Sequence, residues 1–184
     1  IIRTLPGTER VRIIQNPSKR QADGLNAAIQ QARGEYIVRI DGHAVIAPDY
    51  VRECVRTLQE TGAANAGGNM DAVGITPTGK AIAAAGKSAF AVPTAFRISD
   101  QPQFTDTVYM GAWRRETFDQ IGLFNPTATP NEDYELNYRI RKSGDAIYLA
   151  PYIRSQYYGR QTFSALARQY YGYGIGKIQT LILH

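Results

Sequence analysis

A chain of 184 residues, 43% of them hydrophobic, is long enough for one domain with a single sizeable core and too short for two independent ones. A formal charge of +5 and a pI near 9.4 favour anionic partners such as nucleotides, anionic lipid or nucleic acid, without choosing among them or fixing a fold. The single cysteine, Cys54, excludes a disulfide framework within the chain; with neither a bilayer-spanning apolar run nor a secretory leader pattern, the simplest expected compartment is the cytoplasm.

The opening, Ile1 to Pro17, reads as entry part-way into a fold, with Val11 to Asn16 predicted as a short strand closed by Pro17. Ser18 to Gly34 predict a helix whose inner stripe is Ala22, Leu25, Ala28, Ile29 and Ala32 and whose stop is Gly34. Glu35 to Asp41, EYIVRID, predict a strand covered on both faces, as in a parallel sheet. Pro48 and Gly62 frame the next helix, on which Cys54 shares an apolar face with Val51, Val55 and Leu58 as a small core residue. Ala63 to Val73 predict a strand in which Gly67 and Gly68 either relax a bulge or let a ligand near the backbone. Thr76 to Asp106 combine a short helix with a long polar connection, of a length that often serves function. Thr107 to Asn125 read as a strand, a Gly turn and a short helix ending near Gly122; Asn131 to Gly144 predict a helix with Asn131 as cap and Gly144 as stop. Two further strands, Ala146–Ala150 and Ile153–Gly159, precede a tail that begins as an amphipathic helix but carries Gly172, Gly174 and Gly176, each costing about 1 kcal/mol against Ala. The whole is one α/β domain over residues 1–184, with 160–184 as an aromatic and basic C-terminal segment and no internal repeat.

Three places carry chemistry. An apolar strand ending on Asp41, Gly42 and His43 puts a carboxylate and an imidazole on one side, at the strand end where open α/β sheets bind ligands. Gly42 would let ligand atoms approach, and mixed O and N ligation suits Mn²⁺ better than Mg²⁺; a tight Asp-Gly turn with an exposed His43 is the alternative. In PNEDYELNYRIR, Asp133 shares a face with Leu136 and Ile140 and is expected to point inward, ionised at a helix N-terminus and ready to act as a general base. Glu132 falls on a more polar side, where it could do no more than stabilise the helix dipole. Third, Tyr157, Tyr158, Tyr170, Tyr171 and Tyr173 interleave with Arg160, Arg168 and Lys177, a composition open to single-stranded nucleic acid, a phosphate-bearing substrate, a membrane interface or simple packing.

Taken in order, ADGLNAAIQQARGEYIVRIDGHAVIAPDYV, DTVYMGAWRRETFDQIGLFN, NEDYELNYRIRKSG and RQYYGYGIGK resemble the inverting glycosyltransferases of family 2, in the branch of succinoglycan-type exopolysaccharide synthases. The resemblance implies a GT-A fold, a mixed sheet flanked by helices, and metal-assisted transfer of a sugar from a nucleotide-diphosphate donor, UDP-sugar foremost, to an acceptor hydroxyl. It assigns Asp41 to the donor or the metal, His43 to the metal in place of the usual second carboxylate, Asp133 to the general base and Glu132 to its support. It further nominates Gly42, Gly111, Ala112, Trp113, Arg168 and Gln169 for donor binding, and the absence of an arginine-tryptophan end argues for single transfers. The expected acceptor is lipid-linked or polymeric, at the inner face of the cytoplasmic membrane. Nucleic acid is not an expected partner. Relatives begin with a strand that holds the base, so the sequence reads as truncated, lacking its first strand; self-pairing into a homo-oligomer and loss of activity are both expectations of that. A non-catalytic sugar-nucleotide binding domain and a nucleotidyltransferase are the alternative readings.

Overall fold

Side chains alternate along a strand, and the run from Met110 to Trp113 uses both sides. Met110 and Ala112 join Tyr50, Cys54, Leu58, Ala66 and Ile153 in one buried layer; Trp113 joins Ala22, Phe118, Phe124, Leu136, Ile140 and Leu149 in another. A computed structural model, which describes residues 10–88, 94–128 and 130–184, resolves these layers as helices on the two faces of one sheet. The elements run α1 (Gln21–Gln31), β1 (Tyr36–Val38), β2 (Ala44–Ile46), α2 (Tyr50–Thr61), β3 (Asn65–Val73), α3 (Pro77–Gly86), α4 (Ala95–Ile98) and β4 (Gln103–Phe104). They continue with β5 (Tyr109–Arg114), α5 (Arg115–Ile121), α6 (Glu132–Lys142), β6 (Ile147–Tyr158) and α7 (Phe163–Leu183).

The sheet order is β1-β5-β3-β6-β2, with β4 also on β6. Among the described strands only β3 and β6 pair in parallel, so the parallel environment expected for EYIVRID is replaced by an antiparallel pairing of β1 with β5. The sheet is mixed. Residues 11–16 form no strand, and Val11 and Ile13 are about half exposed; the predicted opening from Ile1 to Glu9 and the part of the predicted connection at 89–93 lie outside the described residues. Gly67 and Gly68 do mark a bulge, where the β3 register shifts against both neighbours. What comes close to the backbone there is protein: a Cβ on Gly68 would run into the Ile153 carbonyl. The two predicted strands around Pro151 are one, because the β6 register skips from Leu149 to Arg154 and no ladder bond is asked of the proline.

The Gly-rich tail is an unbroken helix. Gly172 packs against the Pro130 ring and Gly176 against the Pro130 carbonyl, so close packing on the start of α6 outweighs the propensity cost. α6 is fixed on its other sides by buried polar bonds. Asn65 Nδ2 donates to Asn137 Oδ1 (2.8 Å), and Arg139 donates to both oxygens of the buried Glu135 (2.8 and 2.9 Å) and to the Leu123 carbonyl (2.7 Å). Cys54 lies in the core as expected, and burial pushes its thiol up to about 12. Among the described residues no helix is long and apolar enough to cross a membrane.

Candidate active site

β1 ends at Val38, and the next three residues turn across the start of β5. Arg39 N donates to the Gly111 carbonyl at 3.1 Å, and Asp41 N faces Met110 Sδ at 3.4 Å. Met110 and Gly111 both take positive φ (62° and 94°), which lets β5 bulge toward this turn. The same place receives the N-terminus of α6, where Asn131 also has positive φ (108°) and its side chain donates to the Tyr173 carbonyl of α7 at 2.9 Å. Two of the three non-glycine residues with positive φ among those described therefore border one site.

The side chain that joins these pieces is Arg39. Its guanidinium is 7% exposed and grips Asp41 with two bonds, Nε to Oδ1 at 2.7 Å and Nη2 to Oδ2 at 3.3 Å. Its Nη1 lies 3.7 Å from Glu132 Oε1 and has no hydrogen-bond partner despite being buried. Burial opposes the Arg39 charge, but the Asp41 hydrogen bond and the charges of Asp133, Asp41 and Glu132 outweigh it, and the pKa is raised above the ordinary arginine value. Glu132 is raised above the ordinary carboxylate value, first by burial and then by the charge of Asp133, with Arg39 pulling the other way. Asp133 is half-buried and accepts from Tyr134 N at 2.8 Å. The expected orientation is thus reversed within the pair. Glu132, not Asp133, is the more deeply buried, because Arg39 offers it a cation that apolar periodicity does not register.

An aromatic wall stands beside the carboxylates. The Tyr157 ring meets the His43 ring edge-on at 4.9 Å and the Tyr109 ring at 5.8 Å. Gln169 donates to the Tyr157 hydroxyl at 3.3 Å and to the Tyr173 hydroxyl at 2.8 Å. The Tyr109 hydroxyl is buried without a partner, and its pKa is raised by burial and by Asp41. Tyr173 is raised by burial, by Tyr157 and by Asp133, so α7 contributes directly to the electrostatics of the α6 terminus.

The residues nominated from sequence divide. Asp41, Glu132, Asp133 and Gly111 converge on Arg39; His43 and Gln169 belong to the aromatic wall, with the His43 ring exposed. Gly42 is exposed, with open space where a Cβ would stand. Arg168 is exposed on α7 outside this hydrogen-bonded set. Ala112 and Trp113 go elsewhere. Both are core residues, Trp113 being 1% exposed among Phe118 and Phe124, because β5 runs on through Gly111 where a turn was predicted, and this directs their side chains into the two layers. Arg39 and Tyr109 are two further residues of the site that neither motif spacing nor apolar periodicity singles out. A lone cation in an apolar strand, two residues before Asp41 and so on its side, is the signal that marks Arg39. Among the described residues no group of three or more His, Cys, Asp or Glu is placed to hold a metal, and Asp41, Gly42 and His43 lie not at strand spacing but in a turn closed by Ala44 N donating to the Asp41 carbonyl at 2.9 Å.

The family model for glycosyl transferase family 2 matches residues 1–122. The chain belongs to this family. It is 30% identical over 178 residues to the succinoglycan biosynthesis protein ExoA of Rhizobium meliloti (strain 1021), covering 95% of this chain and 54% of ExoA. It is 23% identical over 175 residues to a dolichyl N-acetyl-α-D-glucosaminyl phosphate 3-β-D-2,3-diacetamido-2,3-dideoxy-β-D-glucuronosyltransferase of Methanococcus voltae, covering 92% of this chain and 54% of that protein. The chain thus spans about half the length of both curated relatives. Among solved structures it is similar to GalNAc-T7 with UDP, GalNAc and Mn²⁺ (TM-score 0.57, 16% identity, 77% of this chain and 31% of that one). It is also similar to S. aureus TarS 1–349 (TM-score 0.56, 14% identity, 79% of this chain and 42% of that one). These two likenesses bear on the fold, and the fold is GT-A.

Proposed function

We propose that this family 2 domain transfers a sugar, with inversion, from a nucleotide-diphosphate donor to an acceptor hydroxyl in the synthesis of an exopolysaccharide or another surface glycan. The observation that carries this is the meeting of Asp41 with Glu132 and Asp133 across Arg39, two carboxylate-bearing segments far apart in sequence brought to one strand end. Asp41 faces the donor. Asp133 is the base, since Glu132 is buried against Arg39 while Asp133 keeps an accessible carboxylate at a helix N-terminus. It takes the proton of the acceptor hydroxyl as that oxygen bonds to the anomeric carbon from the face opposite the diphosphate. The carbon–phosphate oxygen bond breaks with its electron pair leaving on the nucleoside diphosphate, so an α-linked donor gives a β-linked product.

UDP is the nucleotide we assign, with Mn²⁺ as the cation; GalNAc-T7 holding UDP and Mn²⁺ on the same fold supports both. Asp41, through a carboxylate oxygen, and His43, through a ring nitrogen, would be the residues that hold the cation, a mixed donor set that suits Mn²⁺. When bound, the cation neutralises charge on the leaving diphosphate. Work at the inner face of the cytoplasmic membrane on a lipid-linked or polymeric acceptor belongs to the same proposal. Exposed Tyr171, Ile178, Leu181 and Ile182 on α7, beside Lys177, support it.

Calorimetric titration with UDP, with and without Mn²⁺, tests the donor site: Mn²⁺-dependent binding is expected, and no binding in either condition refutes it. Asp133→Asn should keep that binding and lose transfer by about 100-fold or more. Retention of more than a tenth of the transfer rate removes Asp133 from the base role.

A further inference from the structure

We infer that Arg39 is the positioning residue of this site: it ties the donor-side Asp41 to Glu132 at the head of α6, so that a change at either carboxylate is felt at the other. The inference rests on the donor-site reading of Asp41 given above. Three observations carry it. The guanidinium is buried and holds Asp41 through two N–H bonds while its third nitrogen faces Glu132. That third nitrogen has no hydrogen-bond partner, so its ties are to the carboxylate charges of Glu132 and Asp133 and not to a fixed neutral acceptor. Finally, the Arg39 backbone is pinned to Gly111, so the side chain pivots from a fixed point in the sheet.

The geometry leaves Asp41 usable. A carboxylate has about four acceptor sites, and a bidentate arginine takes one on each oxygen, leaving the others for a ribose hydroxyl or a cation. Arg39 therefore orients Asp41 without consuming it and keeps its charge in place. A lysine cannot do the same. Its ammonium is a single point and cannot span Asp41 and Glu132 with the planar fork of arginine. Glu132, buried and paired, is relieved of any proton-transfer duty; it holds Arg39 from the α6 side, which leaves Asp133 alone toward the acceptor.

The test is a double-substitution cycle read as UDP affinity at saturating Mn²⁺, measured calorimetrically on the full chain with no need for turnover. Four proteins are compared: unsubstituted, Arg39→Lys, Glu132→Gln and the pair. Arg39→Lys should weaken UDP binding about 10-fold, and Glu132→Gln, which leaves Asp41 itself intact, about threefold or more. In the Arg39→Lys background the Glu132→Gln effect should shrink below about twofold, since the tie it acts through is already gone. Equal Glu132→Gln effects in the two backgrounds overturn the positioning role while leaving the donor site standing. Should Arg39→Lys not fold, Glu132→Gln alone decides: unchanged UDP affinity overturns the tie. Failure of the unsubstituted chain to bind UDP falls instead on the donor-site reading, and takes this inference with it.

Discussion

Gly176 and Gly174 lie two residues apart in α7, have the same intrinsic helix cost, and face different surroundings. A Cβ on Gly174 would meet nothing within 4 Å, whereas one on Gly176 would run into the Pro130 carbonyl and come within 2.6 Å of Asn131 Nδ2. Asn131 is the residue before α6, and its amide donates to the Tyr173 carbonyl at 2.9 Å, so α7 is seated directly on the helix start that carries Glu132 and Asp133. Replacing either glycine with alanine gains about 1 kcal/mol of helix propensity. At Gly174 that gain stands. At Gly176 it is set against about 1 to 3 kcal/mol of overpacking, and the obstacle is backbone, which cannot swing away as a side chain can. The two variants should thus differ by about 1 to 3 kcal/mol. For a chain of this size that is roughly 2 to 12 °C in midpoint, Gly174→Ala being the higher. Thermal denaturation followed by circular dichroism gives the difference, and a transfer assay run well below both midpoints gives the functional consequence. Gly176→Ala should lose transfer because the α6 terminus is displaced, while Gly174→Ala keeps it. Equal midpoints and equal transfer would show that α7 does not set the position of Asp133.

Other expectations can be checked separately. Trp113→Ala should cost about 3 to 5 kcal/mol in urea denaturation, as for a core aromatic, with UDP affinity of the folded fraction unchanged; lost affinity at full stability would return Trp113 to a donor-lining role. Glu132 has a raised folded pKa, so the stability linked to it is whole below the unfolded value near 4.5 and is lost as pH rises through the folded value. The midpoint of Glu132→Gln should therefore climb relative to the unsubstituted protein as the pH rises above the ordinary carboxylate value of 4.5, and a constant or falling difference would contradict the shift. His43→Ala should raise the Mn²⁺ concentration needed for half-maximal UDP binding by about 10-fold, an effect size typical for disturbing a metal site; an unchanged titration would place the metal donors elsewhere. Vesicles containing anionic lipid should co-sediment the chain better than neutral ones, and equal recovery would count against membrane contact through α7.

Helix positions were readable where a stop signal coincided with an apolar stripe. Gly62 takes the left-handed conformation (φ 68°) that ends α2, and Gly144 does the same (φ 92°) just beyond α6. Strand pairing was not readable, because EYIVRID is apolar enough for a parallel or an antiparallel neighbour, and only the β5 register decides between them. The α7 glycines misled for a related reason: their cost is local, and what offsets it, Pro130 against Gly172 and Gly176, is tertiary.

The site divides along the same line. Asp41 and Asp133 stand out as single residues, since a carboxylate at a strand end and another at a helix start need little context to be noticed. Arg39 does not, because its meaning depends on what surrounds it once the chain has folded. Taking a guanidinium out of water without anionic partners is costly, so a cation in an apolar strand has to be matched by carboxylates brought from elsewhere. Here Asp41 comes from the same turn and Glu132 from the head of α6. Arg39 therefore contributes both to the seating of the α6 terminus, alongside the Asn65–Asn137 and Arg139–Glu135 bonds, and to the arrangement of the candidate active site. Stability and function are then coupled at Arg39. A substitution there should lower both together, whereas Asp133→Asn, at a half-buried residue outside the Arg39 ion pairs, should lower transfer alone.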